Sequence, residues 1–153
     1  MKPNKKFWKK KNVMITGHTG FKGGWLTVLL DHLGAKVSGY SLNPHGVNNF
    51  FKSTKIKKIF RHDFRKNIKD LNELKRNLKK AKPEIIFHLA AQSSVIESFK
   101  NPNNTVLSNV LGTSNVLEAA KNIKSLKCLI IITTDKVYQN YKFKKYFNED
   151  SVL

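Results

Sequence analysis

Thr16-Gly17-His18-Thr19-Gly20-Phe21-Lys22-Gly23 decides the fold of this chain. Its glycines fall three residues apart, directly after the apolar run Val13-Met14-Ile15 and directly before a segment with helical spacing. A strand, a glycine turn and a helix in that order form a phosphate-cradling unit. Gly17 permits the tight turn, Gly20 lets the backbone approach a pyrophosphate, and Gly23 lets the helix sit close to the sheet. The helix amino terminus adds N–H donors and a dipole that favours anions. The loop is not of the Walker type, because Gly23 is not followed by Lys and Ser or Thr. A glycine triplet alone is a weak signal; the strand before it and the helix after it give it weight.

Working outward, Phe21, Trp25, Val28, Leu29 and Leu33 recur at helical spacing, which predicts a helix from Gly20 to Leu33 with these residues facing the core. Gly34 is placed to end it. Lys36 to Ser41 reads as a second strand, stopped by Asn43-Pro44, and residues 43–49 as a polar loop. A weak third strand lies within Ile59 to Arg65. Leu71, Leu74, Leu78 and Ala81 mark a second helix, closed by Pro83. Glu84 to Leu89 is a fourth strand. Val106, Val110, Thr113, Leu117 and Ala120 mark a longer helix, and Leu129 to Thr133 is a fifth strand. Strands alternating with helices predict an α/β fold, a doubly wound parallel sheet of the Rossmann type, over one domain spanning residues 1–153. Ligands of such a sheet sit at the carboxyl ends of its strands.

The 153 residues suffice for one domain with a core, and no apolar run reaches the roughly 18–20 residues of a membrane span. No signal-peptide core follows the basic lead at residues 1–11, so a cytoplasmic protein without membrane contact is expected. The net charge of +19 rests on 29 Lys and Arg against 10 Asp and Glu. Nearly all of these cations are Lys, spread along the chain; only Arg61, Arg65 and Arg76 are Arg. Base readout favours Arg, so the charge reads as a lysine-rich surface that attracts anionic nucleotides rather than as a specific nucleic-acid face. The histidines show no metal-ligand spacing, so no metal is expected. Cys128 begins the apolar run Cys128-Leu129-Ile130-Ile131-Ile132 and is expected to be a buried, inert thiol.

The triplet spacing resembles that of the extended short-chain dehydrogenase/reductase family. Phe7-Trp8-Lys9, Thr16 to Gly23, Trp25-Leu26 and Gly39-Tyr40-Ser41-Leu42-Asn43-Pro44 together resemble CDP-glucose 4,6-dehydratases within it. The resemblance implies NAD, held by Gly17, Thr19, Gly20, Phe21, Lys22 and Gly23 at the phosphates. A NAD site usually carries an acid at the end of the second strand. Here Ser41 and Asn43 stand there; they can hydrogen-bond a ribose but do not repel a 2′-phosphate. Asn67-Ile68-Lys69-Asp70-Leu71 resembles a family segment that contacts adenine, with Asn67 in place of the family's Asp; its amide oxygen can accept from the adenine amino group. Leu89, Ala90, Ala91 and Gln92 follow the fourth strand, where small side chains let the dinucleotide cross the sheet edge. His88, within the strand, reads as structural. Ser93-Ser94-Val95-Ile96-Glu97 lacks the paired arginines often found there in CDP-glucose dehydratases.

Thr133-Thr134-Asp135-Lys136-Val137-Tyr138 follows the fifth strand. The resemblance implies Thr133 beside the cofactor and the Thr134 hydroxyl polarising the sugar oxygen. Asp135 is then the acid that protonates the departing carbon-6 hydroxyl, and Lys136 the base that removes the carbon-5 proton. The implied reaction oxidises carbon 4 of a nucleotide sugar, CDP-glucose, eliminates water across carbons 5 and 6, and returns hydride to carbon 6. Asp135 needs a raised pKa and Lys136 a lowered one for these roles. Asp135-Lys136 argues against an epimerase, which eliminates no water. A GDP-mannose 4,6-dehydratase and, in a different class, a non-catalytic basic binding module compete with the CDP-glucose enzyme. The family's Tyr-x-x-x-Lys pair is expected a few residues beyond Leu153, followed by the last strands and a substrate domain. Tyr141 and Lys145 have that spacing but come too soon after Asp135. The chain alone is therefore expected to be inactive, and the complete enzyme to be a homo-oligomer.

Overall fold

The computed structural model of the chain describes residues 3–46, 49–134, 137–139 and 146–152. Five strands form one sheet: β1 (Asn12–Thr16), β2 (Lys36–Ser41), β3 (His62–Arg65), β4 (Ile85–His88) and β5 (Cys128–Ile131). All four pairings are parallel, in the order β3-β2-β1-β4-β5. The predicted doubly wound parallel sheet is therefore present. The chain order reverses between β1 and β4, and the crevice at that switch point is where such sheets take ligands.

Side chains alternate across β1, so Val13 and Ile15 enter one core and Met14 the other. On one face α2 (Phe21–His32) contributes Leu30 to a cluster with Val13, Ile15, Val37 and Ile85. On the other face α4 (Leu71–Ala81) and α7 (Gly112–Ala120) bring Leu74, Leu78, Val116 and Ala119 against Met14, Tyr40 and Ile86. Asp70 caps α4 by accepting from Glu73 N–H at 3.0 Å, and Lys82 ends it in the left-handed region ahead of Pro83. The basic lead is more than a solvated tail. Asn4 caps a one-turn helix, α1 (Lys5–Trp8), and Trp8 lies against Phe87 with ring centroids 6.2 Å apart.

The predicted helices are present, but the expected face of α2 is turned. On α2 the expected core residues Phe21, Trp25 and Leu29 are 69%, 53% and 44% exposed. Gly23, Gly24, Thr27 and Leu30 are buried instead. The cause is steric: an added Cβ on Gly23 would meet the Gly17 carbonyl, so only small residues fit between this helix and the glycine loop. Phe21 and Trp25 turn outward and meet Phe50 of the short helix α3 (Phe50–Ser53). Further on, Val106, Val110 and Leu117 are exposed, while Gly112, Asn115, Val116 and Ala119 face the sheet. Beyond α5 (Val95–Lys100), a π-helical stretch, Leu107–Leu111, separates α6 (Pro102–Val106) from α7 and shifts the phase of the apolar pattern. Cys128 is exposed, not buried, because it opens β5, the last strand of the described order, whose residues are exposed or half-buried.

Adjacent residues test the corrected face of α2. Leu30→Ala should lower the unfolding free energy by about 2–5 kcal/mol, the usual cost of emptying a core leucine site. Leu29→Ala should cost about 0.5 kcal/mol or less. Urea denaturation distinguishes the two; equal losses would restore the face expected from spacing.

Candidate functional site

The glycine loop closes between β1 and α2. Gly17 has φ +75° and its N–H donates to the Tyr40 carbonyl at 2.9 Å. Its carbonyl accepts from Gly20 N–H at 3.0 Å, which completes the turn. A Cβ on Gly17 would lie 2.8 Å from Ala90 N and from Leu89 C, so the turn touches the backbone leaving β4. Gly20 is the N-cap of α2 and no side chain caps it. No acid lies in the first turn, and the first N–H groups of the helix, those of Phe21 and Lys22 among them, have no carbonyl partner within it. A tight turn without side chains at Gly17, Gly20 and Gly23, and helix-end donors without partners in the helix, both fit a diphosphate.

The floor of the crevice is a closed hydrogen-bond chain. Thr113 Oγ1 donates to the Asn109 carbonyl at 2.7 Å, so it must accept from His88 Nε2 at 3.0 Å. His88 Nδ1 then accepts from Thr16 Oγ1 at 2.6 Å, and Thr16 Oγ1 accepts from Ala90 N–H at 3.1 Å. Every group is satisfied when His88 is neutral. The chain links the ends of β1 and β4 to the π stretch and fixes Ala90. His88, read from sequence as structural, is buried there, and burial holds its pKa down to about 4.

His18 is buried under the loop. Its Nε2 lies 2.9 Å from Asp63 Oδ1, and Asp63 Oδ2 accepts from Arg65 at 2.8 Å. Nδ1 is buried without a hydrogen-bond partner, which suits the tautomer whose proton sits on Nε2. Burial lowers the His18 pKa, and Asp63 offsets this only partly. Burial alone would raise that of Asp63, but the bonds from His18 and Arg65 together hold it below its ordinary value. The His18 ring occupies the space that a Cβ on Gly39 would take.

The other predicted positions line the same edge. Thr19 Oγ1 lies 2.8 Å from Ser41 Oγ and donates to the Leu42 carbonyl at 3.2 Å, joining the loop to the end of β2. Asn43 is exposed just beyond. The Asn67 amide oxygen accepts from Lys69 N–H at 3.0 Å, in a local turn. One of its acceptor sites is thus taken, and its amino group is the part less committed. Ile68 is buried. Gln92 N–H donates to Asn109 Oδ1 at 2.7 Å, and Asn109 Nδ2 donates to the Gln92 carbonyl at 2.9 Å. Ala91, Thr133 and Thr134 are exposed at the ends of β4 and β5. Asp135, Lys136, Tyr141 and Lys145 lie outside the described residues.

Two supports escaped the sequence. Asn109 grips the Gln92 backbone on both sides, and Asn115 donates to the Ile68 and Lys69 carbonyls at 3.1 and 3.0 Å. Both amides come from one helical run, and both brace predicted cofactor segments. The signal was a polar amide on the narrow face packed against the sheet.

The fold and crevice define a Rossmann-type domain shaped for a dinucleotide. Residues 14–153 match the family described as GDP-mannose 4,6 dehydratase, and the chain belongs to that family. It is 37% identical over 150 residues to the CDP-glucose 4,6-dehydratase of Salmonella typhimurium, covering 98% of this chain and 42% of that protein. It is 30% identical over 135 residues to the GDP-mannose 4,6-dehydratase of Vibrio cholerae, covering 85% of this chain and 35% of that one. Among solved structures, an epimerase of Methanothermobacter thermautotrophicus superposes with a TM-score of 0.77 at 25% identity, over 97% of this chain and 43% of that one. The UDP-glucose 4-epimerase of Thermus thermophilus, solved in complex with NAD, gives a TM-score of 0.66 at 28% identity, over 76% of this chain and 35% of that one. The chain thus spans less than half the length of these relatives. Among the described residues no helix is long and apolar enough to cross a membrane.

The neutral histidines set a pH dependence. Their folded pKa values lie below the ordinary 6.5, so between 6.5 and about 4 the unfolded chain binds more protons than the folded one. Stability therefore rises with pH across that window and is fully present above it. Between about pH 7.5 and 5 we expect a loss of about 2 kcal/mol from His88, with His18 adding in the same sense. Urea midpoints across this range measure it, and His88→Asn should flatten the profile. An unchanged midpoint in the unmodified protein would contradict the neutral chain.

Proposed function

We propose that this chain is the dinucleotide-binding part of a nucleotide-sugar 4,6-dehydratase whose substrate is CDP-glucose. The observation that carries the class is the glycine cradle of Gly17, Gly20 and Gly23 opening on the switch-point crevice. The substrate rests on the likeness to the Salmonella enzyme and on Thr134-Asp135-Lys136 after β5. The cofactor is NAD, as in solved relatives of this fold.

When bound, NAD accepts hydride from sugar carbon 4 and gives it back at carbon 6. The tyrosine of the family's Tyr-x-x-x-Lys pair takes the carbon-4 hydroxyl proton, and the residues of this chain contribute the following. Gly17, Thr19, Gly20, Phe21, Lys22 and Gly23 border the diphosphate, with the N–H groups of Phe21 and Lys22 left to donate to it, since those of Gly17 and Gly20 are bonded within the turn. Ser41 and Asn43 take the adenosine ribose, while Asn67 and Ile68 border the adenine. Leu89, Ala90, Ala91, Gln92 and Thr133 form the edge that the dinucleotide crosses, with Ala90 and Gln92 fixed through Thr16 and Asn109. Thr134 donates to the sugar oxygen at carbon 4. Lys136 takes the carbon-5 proton, acidified by the neighbouring ketone, and Asp135 gives its proton to the departing carbon-6 hydroxyl. When hydride returns to carbon 6, Lys136 gives its proton back to carbon 5, and the proton released from the carbon-4 hydroxyl restores Asp135, so the net loss is one water.

The protein carrying this chain should convert CDP-glucose to a product lighter by one water, read by mass spectrometry. Asp135→Asn should lower kcat by about 10²–10⁴-fold, the range for loss of a general acid. An isomeric product of unchanged mass would instead favour a 4-epimerase.

The outward apolar residues Val106, Val110 and Leu117 support pairing between copies in the complete enzyme. Val110→Lys should shift the sedimentation of the enzyme toward the monomer while leaving its circular dichroism unchanged. Unaltered assembly would remove this helix from the interface.

A further inference from the structure

The amino ends of the five strands form the edge of the sheet opposite the crevice, and each connection into them carries lysine. Lys9, Lys10 and Lys11 lead into β1, and Lys36 opens β2. Lys58 and Arg61 precede β3, Lys80 and Lys82 precede β4, and Lys124 and Lys127 precede β5. Hydrogen bonds hold these connections side by side. Lys10 N–H donates to the Gly34 carbonyl at 2.7 Å, and Lys36 N–H to the Lys11 carbonyl at 2.8 Å. Glu84 N–H donates to the Asn12 carbonyl and Lys127 N–H to the Glu84 carbonyl, both at 2.8 Å. The Arg61 guanidinium donates to Asn12 Oδ1 at 3.1 Å. The parallel register thus gathers cations that are far apart in sequence onto one face.

Little on that face neutralises them. Glu84 is the acid of these connections, with Asp31 in the last turn of α2 beside them. Glu84 is already held by Lys11 at 2.9 Å and Lys127 at 3.5 Å. Lys9, Lys10, Lys36, Lys82 and Lys124 are exposed and pair with no carboxylate among the described residues. An apolar ring stands among the cations. Phe7 of α1 is 51% exposed, with Lys5, Lys6 and Lys9 exposed around it. Its neighbour Trp8 packs on Phe87 and meets Phe7 edge-on at 5.0 Å, so the basic lead is fastened to the sheet and Phe7 faces outward. Lys11 Nζ lies 5.8 Å from the Phe7 ring centroid.

Exposed lysines on one face with an apolar ring among them match the chemistry of an anionic bilayer, whose phosphate headgroups attract cations and whose interface takes aromatic side chains. Nucleic acid asks for something else. Duplex readout needs a helix or ribbon that enters a groove, and single strands need successive aromatic platforms. This edge offers connections, one exposed ring in Phe7 and one Arg in Arg61. We propose that the amino edge of the sheet docks the protein on an anionic lipid surface. The lysines lie on phosphate headgroups, Phe7 enters the interface, and the crevice is turned to solution. The expectation of no membrane contact concerns insertion; attachment of this kind needs no spanning helix. The proposal does not depend on the cofactor or the substrate.

Cosedimentation of the protein carrying this chain with lipid vesicles tests it. Vesicles of phosphatidylcholine with about 30% phosphatidylglycerol should bind it at least about tenfold more strongly than pure phosphatidylcholine, and added salt should weaken the binding. The combined change Lys9→Gln, Lys36→Gln and Lys124→Gln should weaken it about tenfold or more. Lys52→Gln, Lys66→Gln and Lys100→Gln, exposed and outside those connections, remove the same charge and together should weaken it less than about threefold. Phe7→Ala should weaken it about threefold with the circular dichroism unchanged. Equal losses from the two lysine sets, or no preference for the anionic vesicles, would overturn the proposal. Duplex DNA that strips the protein from the vesicles at equal phosphate concentration would assign the edge to nucleic acid and overturn it as well.

Discussion

A side chain at position 17 has nowhere to go. The turn leaving β1 rests against the backbone of Leu89 and Ala90 leaving β4, at a separation that a Cβ would fill. That contact brings the two strands of the switch point to a common edge. It places the amino terminus of α2 above the crevice and sets the distance at which Gly23 must also lack a side chain. The remaining contacts reinforce it. Thr16 and His88 join the same two strands from below, and Thr19 joins the turn to Ser41 beside it. Position 17 is thus a constraint on packing and on backbone conformation at once, because its φ of +75° also disfavours any residue with a Cβ.

This constraint explains what the sequence made legible. Strands were readable because parallel strands covered on both faces are apolar along their length, and Val13 to Ile15 and Ile85 to Phe87 are. The glycine spacing located the crevice. Helix faces were misread for a physical reason. Where α2 meets the loop, the core side must be small, so the large apolar residues that dominate a spacing pattern lie on the opposite side. The pattern of Phe21, Trp25 and Leu29 is real, but it describes a surface. A π stretch breaks the period of the later helix, so a pattern at constant pitch across it does not follow the face packed on the sheet, and Val106 and Val110 are exposed.

The supports of the site were harder to see. Asn109 and Asn115 look like ordinary helix-surface amides in a chain rich in Asn. Their role depends on which backbone carbonyls and N–H groups lie opposite, and that is set by tertiary packing alone. The short helix α3 was equally hidden, because it is held by Asn49 at its amino end and by aromatic contacts from Phe50 and Phe51 rather than by an amphipathic period. A single turn has no period to detect.

The distribution of charge follows from the same geometry. A net charge of +19 is spread over a molecule whose crevice floor is uncharged. His88 completes its bonds only without a second ring proton, since a charged ring would leave Thr16 facing two donors and giving none. His18 sits between aromatic rings and a single carboxylate, in surroundings where desolvation outweighs the attraction of Asp63. Lysines therefore supply a long-range field at the periphery, and neutral dipoles supply position at the centre. An anion drawn inward by the first meets the second at close range, where peptide N–H groups bind it without a buried cation that would need its own partner. A positive surface and an uncharged floor are two parts of one arrangement for receiving phosphate.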